Sequence, residues 1–288
     1  MTLQDFNQLP PDEAAQRLQT CCGAARWVSE TMKGFPFASE AELVQRATSA
    51  WYDVCDESDW REAFTHHPKI GDIESLQKKF ASTSHLAGAE QSGVSSAGSG
   101  TIEALAAGNA AYDERNGFIF IVCATGKSAD EMLRLLQDRL FNQPEEELRV
   151  AMGEQHKITI LRLKKLVDGD WSFLKVSQLT THVLDTSLGR PGQDIAIRLQ
   201  EPDGTGGWRT IAQGVTNADG RIPDLLPPNR TLPQGNYRAV FDTGRYFAQQ
   251  KTSGFYPAVE IQFTVFDDSH YHVPLLINPF GYSTYRGS

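Results

Sequence analysis

Two imidazoles one residue apart stand in the run His270-Tyr271-His272-Val273-Pro274. Strand side chains alternate, so positions i and i+2 point to the same face and both rings would share it. A third, His182, lies in the apolar run Thr181-His182-Val183-Leu184, where an idle imidazole would lose solvation without compensation. The sequence closes on Tyr285-Arg286-Gly287-Ser288, a phenol, guanidinium, glycine and hydroxyl beside a carboxylate, which reads as part of a site rather than a disposable tail. With Arg221 these residue types suit hydrolysis. An imidazole can take a proton from water and return it to a leaving nitrogen, an effect of about 10²–10⁴-fold. A guanidinium can orient an electron-rich ring. His-x-His is also zinc-ligand spacing, so a zinc-dependent cyclic amide hydrolase using His182, His270 and His272 competes with this reading. Against zinc, the surrounding region offers no cysteine and no obvious further carboxylate ligand. For His270 alone, a polar residue at a strand edge is the simpler reading.

A second set lies earlier: His66-His67-Pro68-Lys69-Ile70-Gly71-Asp72, Glu90-Gln91, Asn109, Tyr112 and Arg162. Each has an ordinary structural explanation. His-Pro commonly ends a helix, because the residue before proline disfavours the α region, and Glu-Gln is common on surfaces.

The elements that must position these residues differ between the two halves. Pro11-Asp12-Glu13 starts a helix that Gly23 can end, and Ser39-Glu40-Ala41-Glu42 and Ser128-Ala129-Asp130-Glu131 are capping-box patterns ahead of helical apolar spacing. Asn142 with Pro144 opens a last long helix carrying Leu148, Ala151, Ile158 and Leu161. Only Phe118–Cys123 looks extended, and 92–100 reads as a Ser/Gly loop. From Leu179 onward the period shortens to alternating runs such as Ile195–Leu199, Tyr237–Phe241 and Val259–Phe263. These are separated by Asp203-Gly204, Asp219-Gly220, Pro227-Pro228 and Gln234-Gly235. That pattern predicts a β-sandwich with one short helix after Asp242. The expected organisation is therefore an all-α helical domain over 1–167, a linker over 168–176 and an all-β domain over 177–288.

At 288 residues each half can bury its own core. The formal net charge of −9, without any Lys/Arg block, disfavours a nucleic-acid or anionic-membrane surface. No apolar run approaches a membrane span, and the first residues lack a secretion-signal pattern. The ending is not Ser-Lys-Leu, the simplest peroxisomal address, and Cys21, Cys22, Cys55 and Cys123 lack C-x-x-C spacing. A reduced cytoplasmic protein is the expectation, with peroxisomes the alternative compartment if the source is eukaryotic.

Thr181-His182-Val183-Leu184-Asp185, Gly189-Arg190-Pro191, Asn217-Ala218-Asp219-Gly220-Arg221, Tyr271-His272-Val273-Pro274-Leu275-Leu276 and Tyr285-Arg286-Gly287-Ser288 resemble 5-hydroxyisourate hydrolase, the enzyme branch of the transthyretin-like proteins. The resemblance spans roughly 178–288 and implies a transthyretin-like β-sandwich assembling as a tetramer, without metal. It implies His182, Arg221, His272 and Ser288 as catalytic residues, with Tyr285 and Arg286 contacting substrate. Phe64–Gly71, Glu90–Val94, Asn109–Tyr112, Gly117–Ala124, Arg139–Asn142 and Arg162-Leu163 resemble 2-oxo-4-hydroxy-4-carboxy-5-ureidoimidazoline (OHCU) decarboxylase over roughly 5–166. That family is all-helical, usually dimeric and cofactor-free. It implies His67, Glu90 and Arg162 as catalytic, with Pro68, Ala87, Gln91, Ile119 and Val122 at the substrate. Members often carry serine where this chain has Ala87, so that hydroxyl contact is absent or comes from Ser84 or Ser92.

The two resemblances name consecutive steps: hydrolysis of 5-hydroxyisourate to OHCU, then decarboxylation to (S)-allantoin. A bifunctional enzyme of urate degradation is the expectation. The expected partners are its two small-molecule substrates and further copies of the chain, a tetramer through the β domain with helical domains pairing as dimers. The competing non-enzymatic reading is a transthyretin-like binding module fused to a helical interaction domain.

Overall fold

The computed structural model describes residues 1–67, 99–174 and 177–287, and the chain divides into two units, Met1–Leu174 and Lys175–Ser288. Five expected site residues, Pro68, Ala87, Glu90, Gln91 and Ser288, lie outside the described residues.

In the first unit the described helices are α1 (Leu3–Asn7), α2 (Pro11–Cys22), α3 (Ala25–Met32), α4 (Glu40–Ser49), α5 (Glu57–Thr65), α6 (Ser99–Asn116), α7 (Ala129–Arg139) and α8 (Pro144–Leu166). A π-helical turn, Ala50–Val54, continues α4. Their starts follow side-chain chemistry that satisfies orphan N–H groups. Ser128 and Glu131 make both arms of a capping box, at 3.2 and 2.7 Å. Ser39 accepts from the Glu42 N–H at 3.2 Å, but the Glu42 carboxylate reaches past the cap to the Ala38 N–H at 2.8 Å. Proline opens both α2 and α8, its missing N–H costing nothing there. Asn142, expected to open α8, instead donates to the Glu147 carboxylate at 2.6 Å. Ser99 and Gly100, expected in a loop, begin α6.

Leu148 and Ala151 on α8 are buried as expected, whereas Ile158 and Leu161 are only half-buried. The deepest part of that helix is polar: Glu147, Gln155 and His156 are fully buried and Thr159 is 1% exposed. Buried polar groups need partners, and those partners define the interior of this unit. The extended segment Phe118–Cys123 pairs with no strand among the described residues. Its backbone is satisfied by charged side chains instead: Arg139 donates to the Ile121 carbonyl at 2.8 Å, and the Cys123 N–H donates to Glu154 at 2.7 Å. Glu147 neutralises Arg139 and Lys157 neutralises Glu154, both pairs buried.

The second unit, among its described residues, has two sheets. One holds β10-β9-β1-β2, with β5 and β8 also pairing with β1; the other runs β4-β3-β6-β7. Here β1 is Leu179–Asp185, β2 Arg190–Pro191, β3 Ala196–Pro202, β4 Trp208–Val215, β5 Arg221–Ile222, β6 Gly235–Phe241, β7 Val259–Val265, β8 Tyr271–His272, β9 Leu275–Asn278 and β10 Gly281–Thr284. Val183, Leu275 and Ile277 from the first sheet and Ile197, Leu199, Ala239, Phe241 and Ile261 from the second share one apolar core. The short helix is α9, Thr243–Gln249, capped by Asp242, which accepts from the Arg245 N–H at 3.1 Å.

Candidate active sites

β1 alternates strictly, Leu179, Thr181, Val183 and Asp185 buried and Thr180, His182 and Leu184 half-buried on the opposite face. That second face is where the polar residues gather. Thr180 stands opposite His272 in the parallel ladder with β8, and His182 stands opposite Arg221 in the antiparallel ladder with β5. Register partners share a sheet face, so His182, Arg221 and His272 meet on one side. Asn217 builds the turn that places Arg221, its carbonyl oxygens accepting from the Gly220 N–H at 2.8 Å and the Arg221 N–H at 3.0 Å. Gly220 must be glycine: its φ is +70° and a Cβ would strike the Val183 carbonyl of β1.

Thr180 Oγ1 lies 2.9 Å from His272 Nδ1 and 3.0 Å from His270 Nε2. One hydroxyl proton serves one ring as donor, so the other ring must donate to the oxygen. Burial depresses the pKa of His272, with Arg221, His270 and His182 acting in the same direction; burial and then Arg221 depress that of His182. Both shifts favour neutral rings, the state in which imidazole accepts a proton.

Residues 284–287 run alongside β8 and β9. The Gly287 N–H donates to the His272 carbonyl at 3.0 Å, and Thr284 donates to Pro274 at 2.8 Å. A Cβ at Gly287 would collide with the His272 ring. Arg286 lies 5.5 Å over the Tyr271 ring rather than at an imidazole, and Tyr285 is exposed. His182, Arg221 and His272 thus come together, while the Arg286 guanidinium stacks on Tyr271. Among the described residues no group of three His, Cys, Asp or Glu side chains is arranged to hold a metal ion.

In the helical unit His66 caps α5 and His67 follows it. His67 Nε2 lies 2.5 Å from Gln155 Oε1 on α8. The neighbouring residue, Glu154, holds the Cys123 N–H, so adjacent residues of α8 grip His67 and the end of the extended segment. Phe64 and Phe118 bind the same two pieces together, their rings 5.1 Å apart. On that segment Val122 is buried and Ile119 half-buried. Arg162 donates through Nη1 to the Cys21 and Thr20 carbonyls at the end of α2, at 3.2 and 3.4 Å. Of its five N–H donors, that nitrogen occupies part.

Two contributors escape a sequence reading that looks for ionisable groups. Thr180 sits two residues before His182, so period-2 alternation alone would have put it on the His182 face. Gln155 shares an α8 face with Thr159 and Arg162 at i, i+4 and i+7, a polar stripe where an apolar one was expected.

A helical unit with one imidazole held by a buried amide, joined to a β-sandwich with paired imidazoles and a guanidinium on one sheet face, defines a two-domain protein with acid–base chemistry available in each part. Residues 7–164 match the OHCU decarboxylase family, and residues 179–287 match the HIUase/Transthyretin family. The uric acid degradation bifunctional protein TTL of Arabidopsis thaliana is 32% identical over 94% of this chain and 97% of its own length. The 5-hydroxyisourate hydrolase of Mus musculus is 45% identical over 39% of this chain and 96% of its own. A solved (S)-allantoin synthase is 26% identical, with a TM-score of 0.45 and full coverage of both chains. The chain belongs to the OHCU decarboxylase family through its N-terminal part and to the HIUase/transthyretin family through its C-terminal part.

Proposed function

We propose that this chain is a bifunctional enzyme of urate degradation, in which the C-terminal unit hydrolyses 5-hydroxyisourate to OHCU and the N-terminal unit decarboxylates OHCU to (S)-allantoin. The observation that carries the reading is the match to a bifunctional uric acid degradation protein across 94% of this chain, so both halves occur together in one relative.

In hydrolysis, water adds to the scissile carbonyl, the ring C–N bond breaks, and the water proton passes through imidazole to the leaving nitrogen. His182 and His272 form the polar pair around that water, Arg221 anchors the heterocycle and Ser288 supplies a hydrogen bond. Neutral rings suit the base role, since the depressed pKa values keep them unprotonated near neutrality. Tyr285 and Arg286 act as substrate contacts. They take their place at a site in the assembled tetramer.

In decarboxylation the C–C bond to the carboxylate breaks, CO₂ leaves, and the electron pair moves into the adjacent C=N of the imidazoline. That system supplies its own electron sink. His67 returns a proton to the new stereocentre, Glu90 orients His67 or the ureido group, and Arg162 clamps charge with its remaining N–H donors. Pro68, Ala87, Gln91, Ile119 and Val122 surround the substrate. The domains run 1–167 and 177–288 around a linker at 168–176, the helical domains pair as dimers, and the compartment is the cytoplasm.

His67→Asn tests the division of labour: decarboxylation disappears while hydrolysis of 5-hydroxyisourate continues at the wild-type rate. Loss of both activities on a folded protein would contradict it.

A further inference from the structure

We infer that Thr180 and His270 extend the hydrolytic site: the Thr180 hydroxyl joins the His270 and His272 imidazoles into a relay, along which a proton taken up at His272 moves outward to His270 and back. The inference rests on the reading that His272 exchanges a proton with the attacking water.

Backbone register brings the three groups together. Thr180 is the partner of His272 in the parallel ladder between β1 and β8. That ladder is closed on either side of His272, by the Tyr271 N–H on the Gln178 carbonyl at 2.8 Å and the Val273 N–H on the Thr180 carbonyl at 2.9 Å. Tyr271 is buried in the apolar core, so His270 and His272 on either side of it take the other face. There one hydroxyl reaches both rings: Thr180 Oγ1 lies 2.9 Å from His272 Nδ1 and 3.0 Å from His270 Nε2. Turning either ring over would set a carbon against the hydroxyl and lose the bond.

Two hydrogen bonds need two hydrogens, and the hydroxyl owns one of them. The second belongs to one ring or to the other. Either His272 Nδ1 donates to the oxygen and the hydroxyl donates to His270, or His270 Nε2 donates and the hydroxyl turns to His272. Both arrangements satisfy every contact, and that equivalence is what a relay requires. As the water oxygen bonds to the scissile carbonyl carbon, its proton goes to His272 Nε2. The Nδ1 proton of that ring passes to Thr180 Oγ1, and the hydroxyl's own proton passes to His270 Nε2. His270 is then the imidazolium and His272 is neutral. When the ring C–N bond breaks, the Nε2 proton of His272 goes to the leaving nitrogen and the relay runs back.

The positive charge is better placed after the transfer. Burial, then Arg221 on β5, His270, and His182 on β1, all oppose a charge on His272. His270 is exposed, so water solvates a charge placed there.

The test follows loss of 5-hydroxyisourate absorbance by the full chain, above the spontaneous rate. Thr180→Val removes the hydroxyl at nearly constant shape and should lower kcat for hydrolysis about tenfold or more, with KM changed less than about twofold. Thr180→Ser keeps a hydroxyl and should hold kcat within about threefold of wild type. His270→Leu should fall as far as Thr180→Val, and the double variant no further, since either change cuts the same chain. In mixtures of H₂O and D₂O the wild-type kcat should follow a curve, the mark of several protons moving together, and a straight line in Thr180→Val. A straight line in the wild type overturns the inference, and that measurement needs no variant to fold. So does a wild-type kcat in Thr180→Val, or an additive loss in the double variant. If His272→Asn hydrolyses at the wild-type rate, the underlying role of His272 falls instead.

Discussion

His182 and His272 stay neutral near pH 7 because burial and the Arg221 guanidinium both penalise a second positive charge on that sheet face. A base must be unprotonated, so hydrolysis persists below the ordinary imidazole range and fails as pH falls through the depressed values. Removing the guanidinium reverses part of the shift. In Arg221→Gln the acidic limb of the residual hydrolysis should move to higher pH, and proton NMR titration of His272 should move with it. An unmoved titration would contradict the electrostatic coupling. The same depression has a stability consequence. The unfolded rings bind protons near 6.5 and the folded ones lower, so their contribution is present above that value and is lost on acidification through the folded pKa. Gly287 acts by absence: with any side chain there, the His272 ring must shift. Gly287→Ala should lower hydrolysis on the order of 10²-fold, the usual cost of misplacing a reacting group by about an ångström. Decarboxylation should be unaffected. Wild-type hydrolysis in this variant would show that the ring has room to spare.

At the scale of elements, the extended segment Phe118–Cys123 depends on buried charge. Arg139 is bound by Glu147 through Nε at 2.8 Å and by the Ile121 carbonyl, and Tyr112 also donates to Glu147. Arg139→Met would leave Glu147 buried without its counter-charge and the Ile121 carbonyl without a donor. Losing one partner of a buried pair costs about 3–5 kcal/mol, so denaturant unfolding of the helical unit should shift to lower concentration while that of the β unit does not. An unchanged midpoint would mean that the pair is dispensable.

These interior pairs also mark where sequence periodicity stops being informative. Caps and turns were legible because their chemistry is local: Ser128 with Glu131, Pro144, Asp242 and the Asp219-Gly220 turn all act within a few residues. The β1 face was legible only in part: His182 stood out as an ionisable group in an apolar run, and Thr180 on the same face did not. The polar interior of α8 was not legible, because Glu147, Glu154 and Gln155 look like surface residues until Arg139, Cys123 and His67 arrive from distant positions. Arg286 shows the same limit. The resemblance implied a substrate contact for it, and only the fold reveals the Tyr271 ring beneath it.

At the scale of the whole molecule, one chain carries two successive reactions, and the product of the second half of the sequence is the substrate of the first. Both compounds decay readily in water, so a shared polypeptide keeps the second site near each molecule released by the first. On the proposed reading the active groups are imidazoles, set beside a guanidinium and a threonine hydroxyl in the sandwich and beside a buried amide in the helical unit. The most direct measurement is to add freshly generated 5-hydroxyisourate to the purified chain and follow ultraviolet absorbance and circular dichroism together. The absorbance should fall faster than in buffer, and the dichroism of one hand of allantoin should accumulate. Spontaneous ring opening with racemic allantoin would contradict the assignment of both sites.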